Sequence, residues 1–198
     1  MNESHQAADK KVAVFLADGC EEIEALTVVD LLFRAGIPVT TVSVSGSTLV
    51  TGSHRIRITA DACIHQLDID SFDMLVLPGG MPGTVNLAAC VPLTDAVCRF
   101  VRKGKQVAAI CAAPTILAGL GLLEGKEATC YPGREPDMRG AILTHEAVAV
   151  SGNIITGRGM GCAIPFGLEI VAHYLGAGAA ATLGENVVWN VGKDGKAL

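Results

Sequence analysis

An α/β domain built on a doubly wound, mostly parallel sheet with helices on both faces is the fold class this 198-residue chain predicts. Apolar strands alternate with helices along its length. The strands read as continuous apolar runs, as strands covered on both faces do, and not as the polar–apolar alternation of a half-wet sheet. Three segments, D-G-C-E-E-I-E, P-G-G-M-P-G and C-A-A-P, follow core strands where such sheets place their sites.

The first strand is Lys11–Ala17 (K-V-A-V-F-L-A), followed by a turn over Asp18–Cys20 and a helix from about Glu21 to Ala35. Gly36 ends that helix and Pro38 blocks its continuation. Val39–Ser45 is a second strand, and Leu49–Thr59 reads as a short hairpin around Gly52-Ser53. Met74–Leu77 is the third core strand, closed by Pro78-Gly79-Gly80. A helix over Leu93–Lys103 leads to the strand that ends at Cys111, and a further helix extends to about Leu122. Val148–Thr156 is a hairpin turning at Ser151-Gly152-Asn153. Cys162–Leu175 is an amphipathic helix with Ile164, Leu168, Val171 and Leu175 as its apolar stripe.

The length suits one domain, and 50% apolar residues are enough for a substantial core. A net charge of −5 leaves no electrostatic footprint for nucleic acid or an anionic membrane. Residues 1–9 read as a disordered leader or tag remnant, not a signal peptide, and 10–198 as a single domain. The uncharged stretch Gln106–Leu123 approaches the length of a membrane span, but Pro114, Thr115, Gly119 and Gly121 divide it into strand, turn and helix. The seven cysteines are odd in number, irregularly spaced and without a C-x-x-C pair, so no disulfide framework or zinc cluster is expected and a cytoplasmic location is.

Cys111 stands out in V-A-A-I-C-A-A-P. A buried-type strand ends on it, small residues flank it, and Pro114 opens the next helix, the layout of a nucleophile elbow. The helix N-terminus would favour its thiolate, the form that attacks carbonyls and is oxidised by peroxide. A buried structural cysteine is the bland alternative. Gly79-Gly80 permits close backbone approach, and the amides of Gly80 and Ala112 can form an oxyanion hole; alone, the pair is an ordinary turn. Glu24 shares a helical stripe with Val28, Leu31 and Ala35, whereas Asp30 and Arg34 form an i,i+4 pair on a solvated face. Burial would raise its pKa and let it donate to a thiolate. The alternative is a partly exposed acid complementing the helix dipole, a role that fits Glu21 and Glu22 better. His145 is a candidate acid–base partner, though a lone histidine at a strand end is more often structural. G-A-G-A-A-A at Gly176–Ala181 follows a helix, where a dinucleotide fingerprint needs a strand.

Taken in order, A-D-G-C-E-E-I-E, V-L-P-G-G, A-A-I-C-A-A-P and R-G-M-G-C-A-I-P-F-G-L-E-I-V resemble the ThiJ/PfpI superfamily, most closely the branch of the parkinsonism-associated protein deglycase (DJ-one family). The resemblance implies a flavodoxin-like α/β sandwich, a homodimer and no cofactor or metal. It implies that Cys111 is the nucleophile, Glu24 its protonated partner, and Gly80 and Ala112 the oxyanion-binding amides. Arg34 and Arg158 fall on positions lining the site or the nearby dimer contact. His54 stands where relatives carry an arginine, and Tyr131 where some carry a histidine. The implied activity is conversion of α-oxoaldehydes such as methylglyoxal to hydroxy acids, or hydrolysis of early glycation adducts on side chains. The alternative is a redox-sensing protective or chaperone protein in which Cys111 becomes a sulfinate. A peptidase comes last, because Ala112 follows the cysteine where that branch has a histidine.

Overall fold

The computed structural model describes residues 10–189, so the leader expected over 1–9 lies outside the described residues. The first half contains β1 (Val12–Leu16), α1 (Glu22–Arg34), β2 (Val39–Ser43), β3 (Leu49–Thr51), β4 (Arg57–Thr59), β5 (Ala62–Cys63), β6 (Met74–Leu77), α2 (Gly83–Ala89) and α3 (Val91–Arg102). The second contains β7 (Gln106–Ile110), α4 (Pro114–Gly119), β8 (Glu127–Ala128), β9 (Ile142–Leu143), β10 (Val148–Ser151), β11 (Ile154–Gly157), α5 (Ala163–Leu175) and α6 (Ala177–Asn186).

Seven strands form the central sheet in the order β10-β11-β7-β6-β1-β2-β5. Every pairing is parallel except β10 with β11. The chain winds outward from β1 through β2 to β5, returns to β6 beside β1, and proceeds through β7 to β11. The direction of winding therefore reverses between β1 and β6, where a crevice opens beyond the strand ends.

Strand side chains alternate between two cores. Val12, Val14 and Leu16 of β1 join Met74 and Val76 of β6 on the face covered by α1, α5 and α6. Ala13 and Phe15 join Leu75 and Leu77 on the face where Phe100 and Leu117 pack. Both faces being dry explains the continuous apolar runs.

Some elements depart from the sequence reading. The seven-residue helix α2 has no clear start signal in the sequence, since it begins on glycine with no side-chain cap. Strands β5, β8 and β9 hold two residues each, too few to show a period. Helix α4 stops at Gly119, short of Leu122. On α5 the fully buried face is Ala163, Phe166, Gly167, Ile170 and Val171, whereas Ile164, Leu168 and Leu175 are only half-buried. The helix is apolar nearly all round because α1 packs on one side of it and α6 on another. The β3–β4 hairpin stands apart from the main sheet and is tied to the β1–α1 turn: the Gly19 amide donates to the Thr51 carbonyl and the Ser53 amide to the Cys20 carbonyl, both at 2.8 Å. Among the described residues no single helix is long and apolar enough to cross a membrane.

Candidate active site

Cys111 follows the last residue of β7 and takes φ +66°, the left-handed region that residues with a Cβ avoid at a cost of about 1–2 kcal/mol. Its neighbours hold it there. The Cys111 amide donates to the Gly157 carbonyl at 2.9 Å, and its carbonyl accepts from the Tyr131 amide at 2.8 Å. Pro114 then opens α4. The elbow leaves the sulfur at the head of the crevice, half-buried.

The β6 turn packs against it so closely that a Cβ on Gly79 would stand 2.7 Å from Cys111 Cβ and 2.8 Å from Glu24 Oε2. A Cβ on Gly80, whose φ is +89°, would overlap the backbone of Cys20 and Glu21. Both glycines are therefore required by contact, and they let the Gly79 carbonyl accept from the Glu21 amide at 2.9 Å. The turn after β6 and the turn after β1 become one unit behind the sulfur.

Glu24 is wholly buried in the first turn of α1. Its Oε2 accepts the Gly79 amide at 2.8 Å, Oε1 has no oxygen or nitrogen partner, and the carboxyl group's remaining polar neighbour is the Cys111 thiol. Burial raises its pKa to about 7, against the lowering effect of the thiol and the Gly79 amide. Burial, then the charge and hydrogen bonding of Glu24, push the Cys111 thiol up to about 12, while the amides of Ala112 and Gly80 hydrogen-bond the sulfur and pull the other way. Burial thus works against the thiolate that the elbow position is expected to favour, and the helix that follows is only six residues long. Cys111 and Glu24 titrate as a pair, and between the two steps they share one proton. When that proton sits on Glu24, the carboxyl donates to a thiolate that also accepts two amides.

The sulfur faces a cavity of about 630 Å³ lined by Gly80, Ala112, Glu24, His54, Tyr131 and Arg134, with Ile23, Ile56, Met81 and Met160 as its apolar walls. The hairpin supplies the His54 rim. The His54 amide donates to Glu22 Oε1 at 2.8 Å and its Nδ1 lies 3.0 Å from Glu22 Oε2 and 3.6 Å from Glu21 Oε2. Glu22 is thus buried, not the partly exposed acid expected; its burial pushes the carboxyl up, but hydrogen bonds led by that from the His54 side chain bring it below its ordinary value. His54 is in turn raised by the Glu22 hydrogen bond and then by the charges of Glu21 and Glu22. A raised histidine pKa means the contact is complete below pH 6.5 and weakens as pH rises through the higher folded value. We expect the His54 imidazole to titrate above 6.5 by NMR and Glu22→Gln to bring it back down. Glu21, Glu22 and His54 also place ligand atoms within 4.8 Å of one another, the grouping among the described residues with metal-binding composition.

The cavity therefore brings together Cys111, Glu24, Gly80, Ala112, His54 and Tyr131. It does not include Arg34 or Arg158. Arg34 is exposed and its Nε pairs with Asp30 Oδ2 at 2.6 Å on the outer face of α1. Arg158 Nη1 lies 3.2 Å from His145 Nδ1, and His145 is not among the residues that line the cavity. Cys20 is buried with its thiol raised to about 11 by burial, and neither it nor Cys162 lines the cavity. Sequence reasoning missed Arg134, which lies in an irregular loop with no periodic signal to place it.

Residues 10–173 match the DJ-1/PfpI family. The chain belongs to that family. Protein dj-1beta of Drosophila melanogaster is 37% identical over 169 residues, covering 84% of this chain and 90% of that one. Protein DJ-1 homolog B of Arabidopsis thaliana is 38% identical over 172 residues; the match covers 86% of this chain but only 39% of that longer protein. The structure of oxidized Toxoplasma gondii DJ-1 superposes with a TM-score of 0.87 at 32% identity, over 91% of this chain and 98% of that one. Family membership and the flavodoxin-like doubly wound sheet thus agree with the sequence reading.

Proposed function

We propose that this family member is a cysteine enzyme that converts α-oxoaldehydes to 2-hydroxy acids without glutathione, or hydrolyses the corresponding adducts on glycated side chains. The observation that carries the reading is the pairing of a strained, cavity-facing Cys111 with a wholly buried carboxyl able to hold a proton near neutrality. The Cys111 thiolate attacks the aldehyde carbon of methylglyoxal, forming a C–S bond as the C=O π pair moves onto oxygen between the Gly80 and Ala112 amides. Protonation gives a hemithioacetal. Glu24, as carboxylate, takes the C1 proton and returns it to C2, and the C1 hydroxyl proton passes to the C2 oxygen, leaving the thioester of lactate. Water cleaves the thioester and restores the thiol, so methylglyoxal and water become lactate and a proton. Tyr131 leaves Glu24 as the proton carrier next to the sulfur. Wild-type protein incubated with methylglyoxal, free of glutathione and added metal, is expected to form lactate; methylglyoxal consumed only into protein adducts would sink the reading.

A second reading draws on the same contacts. A sulfinate on Cys111 would be held by the two amides and a Glu24 proton, and the T. gondii relative was solved in oxidized form. Peroxide treatment that adds two oxygens to Cys111 in protein with no turnover would favour this redox-responsive role. We place a second copy of the chain on the apolar groove of about 450 Å³ beside the cavity, where Ile23, Leu26, Ile56, Ile164 and Val187 meet. The seven free cysteines suit a reducing cytoplasm.

A further inference from the structure

Arg134 is the single Lys or Arg among the side chains lining the Cys111 cavity. It stands where that cavity meets a second groove of about 380 Å³, lined by residues of α2, α3 and α4, and it lines both. Its Nε is buried and without a partner, while Nη2 lies 3.3 Å from Asp137 Oδ2. A buried donor left unpaired is costly, and the rest of the guanidinium, on a side chain over a third exposed, is held by Asp137 alone. The loop carrying the guanidinium is fixed to the nucleophile: the Arg134 amide donates to the Tyr131 carbonyl at 3.0 Å, and the Tyr131 amide to the Cys111 carbonyl at 2.8 Å. The cavity's other charges are occupied. Glu22 and Glu21 hold His54 and Ser53 on the hairpin side, and Glu24 faces Cys111 and Gly79.

We propose that Arg134 receives an oxyanion carried by the substrate, so that the preferred substrates are α-oxoaldehydes bearing a carboxylate or phosphate a few bonds from the carbonyl pair. This rests on the carbonyl chemistry proposed above and names its substrate class. The planar guanidinium matches either group through paired donors, and the bond changes at the aldehyde are those already described. Water is the co-reactant and an anionic 2-hydroxy acid the product.

The test compares methylglyoxal with 4,5-dioxopentanoate and hydroxypyruvaldehyde phosphate in wild type, Arg134→Met and Arg134→Lys. Wild type is expected to favour at least one anionic substrate by roughly tenfold or more in kcat/KM. Arg134→Met should lower that value at least about tenfold further than it lowers methylglyoxal turnover, chiefly through KM, with partial recovery in Arg134→Lys. The carboxylate and phosphate arms tell which oxyanion the site takes. Equal losses on neutral and anionic substrates, or no preference in wild type, overturn the proposal. If wild type turns over none of the three, the carbonyl reading fails, and Arg134 is judged by protection of Cys111 from iodoacetamide. There 4-oxopentanoate should protect wild type at roughly tenfold lower concentration than Arg134→Met, with neutral 2-pentanone showing no such difference. Equal protection, or none, overturns the anion site independently of turnover.

Discussion

Cys111→Ala is expected to form no lactate from methylglyoxal, a loss of roughly 10³-fold or more, because it removes the atom that makes the C–S bond. The other cysteines offer no substitute. Cys20 is buried with a raised thiol, and Cys162 lies at the start of α5, outside the cavity. Cys162→Ala should therefore hold turnover within about twofold of wild type, since no contact of the reacting atoms changes. Measuring lactate from the two variants side by side checks both statements. Residual lactate from Cys111→Ala would show that the thioester route is not the one used.

Glu24→Gln is expected to lower kcat by roughly 10²- to 10⁴-fold, the range lost when a positioned acid–base group goes. Glutamine keeps the volume, an acceptor for the Gly79 amide and a donor for the sulfur. What it cannot do is take a proton from C1 and return it at C2. The pH profile separates this from a packing defect. In wild type the pair loses its first proton as pH rises through about 7, so activity should climb there toward a plateau. Above that step one proton remains between Glu24 and Cys111 until the second is lost near 12. In Glu24→Gln the thiol must ionise by itself, against burial, so the rise near 7 should vanish and whatever activity remains should climb at higher pH. Unchanged kcat with an unchanged profile would remove Glu24 from the chemistry. A variant with wild-type turnover but altered peroxide oxidation of Cys111 would support the redox-responsive role.

Much of this protein was legible in its linear order. Continuous apolar runs such as Val12–Leu16 and Met74–Leu77 can be buried only between two helical layers, so they announce a parallel sheet before any pairing is known. Cys111 could be singled out because an elbow needs a strand end, small neighbours and a proline within a few residues, all local features. Glu24 could be suspected because a carboxylate on an apolar helical stripe breaks a periodicity of 3.6 residues. The strongest local signals thus mark the candidate nucleophile and the carboxyl that faces it.

Tertiary structure decided what depends on distance through space. Arg34 and Arg158 do not line the cavity of this chain, where they pair with Asp30 and His145. Glu22 reads as a solvated first-turn acid until the β3–β4 hairpin, some thirty residues later in the chain, folds over it and supplies His54. Arg134 has no pattern to identify it, and only the loop tied to Tyr131 and Cys111 puts it in the cavity. The balance of charge on the thiol is likewise a property of the assembled site. A helix N-terminus is visible in sequence, whereas the burial that raises the thiol is not. The sequence by itself determined the layers and the candidate pair, because these follow from local period and composition; the tertiary structure decided the rim and the environment of the pair, because these follow from which distant surfaces meet.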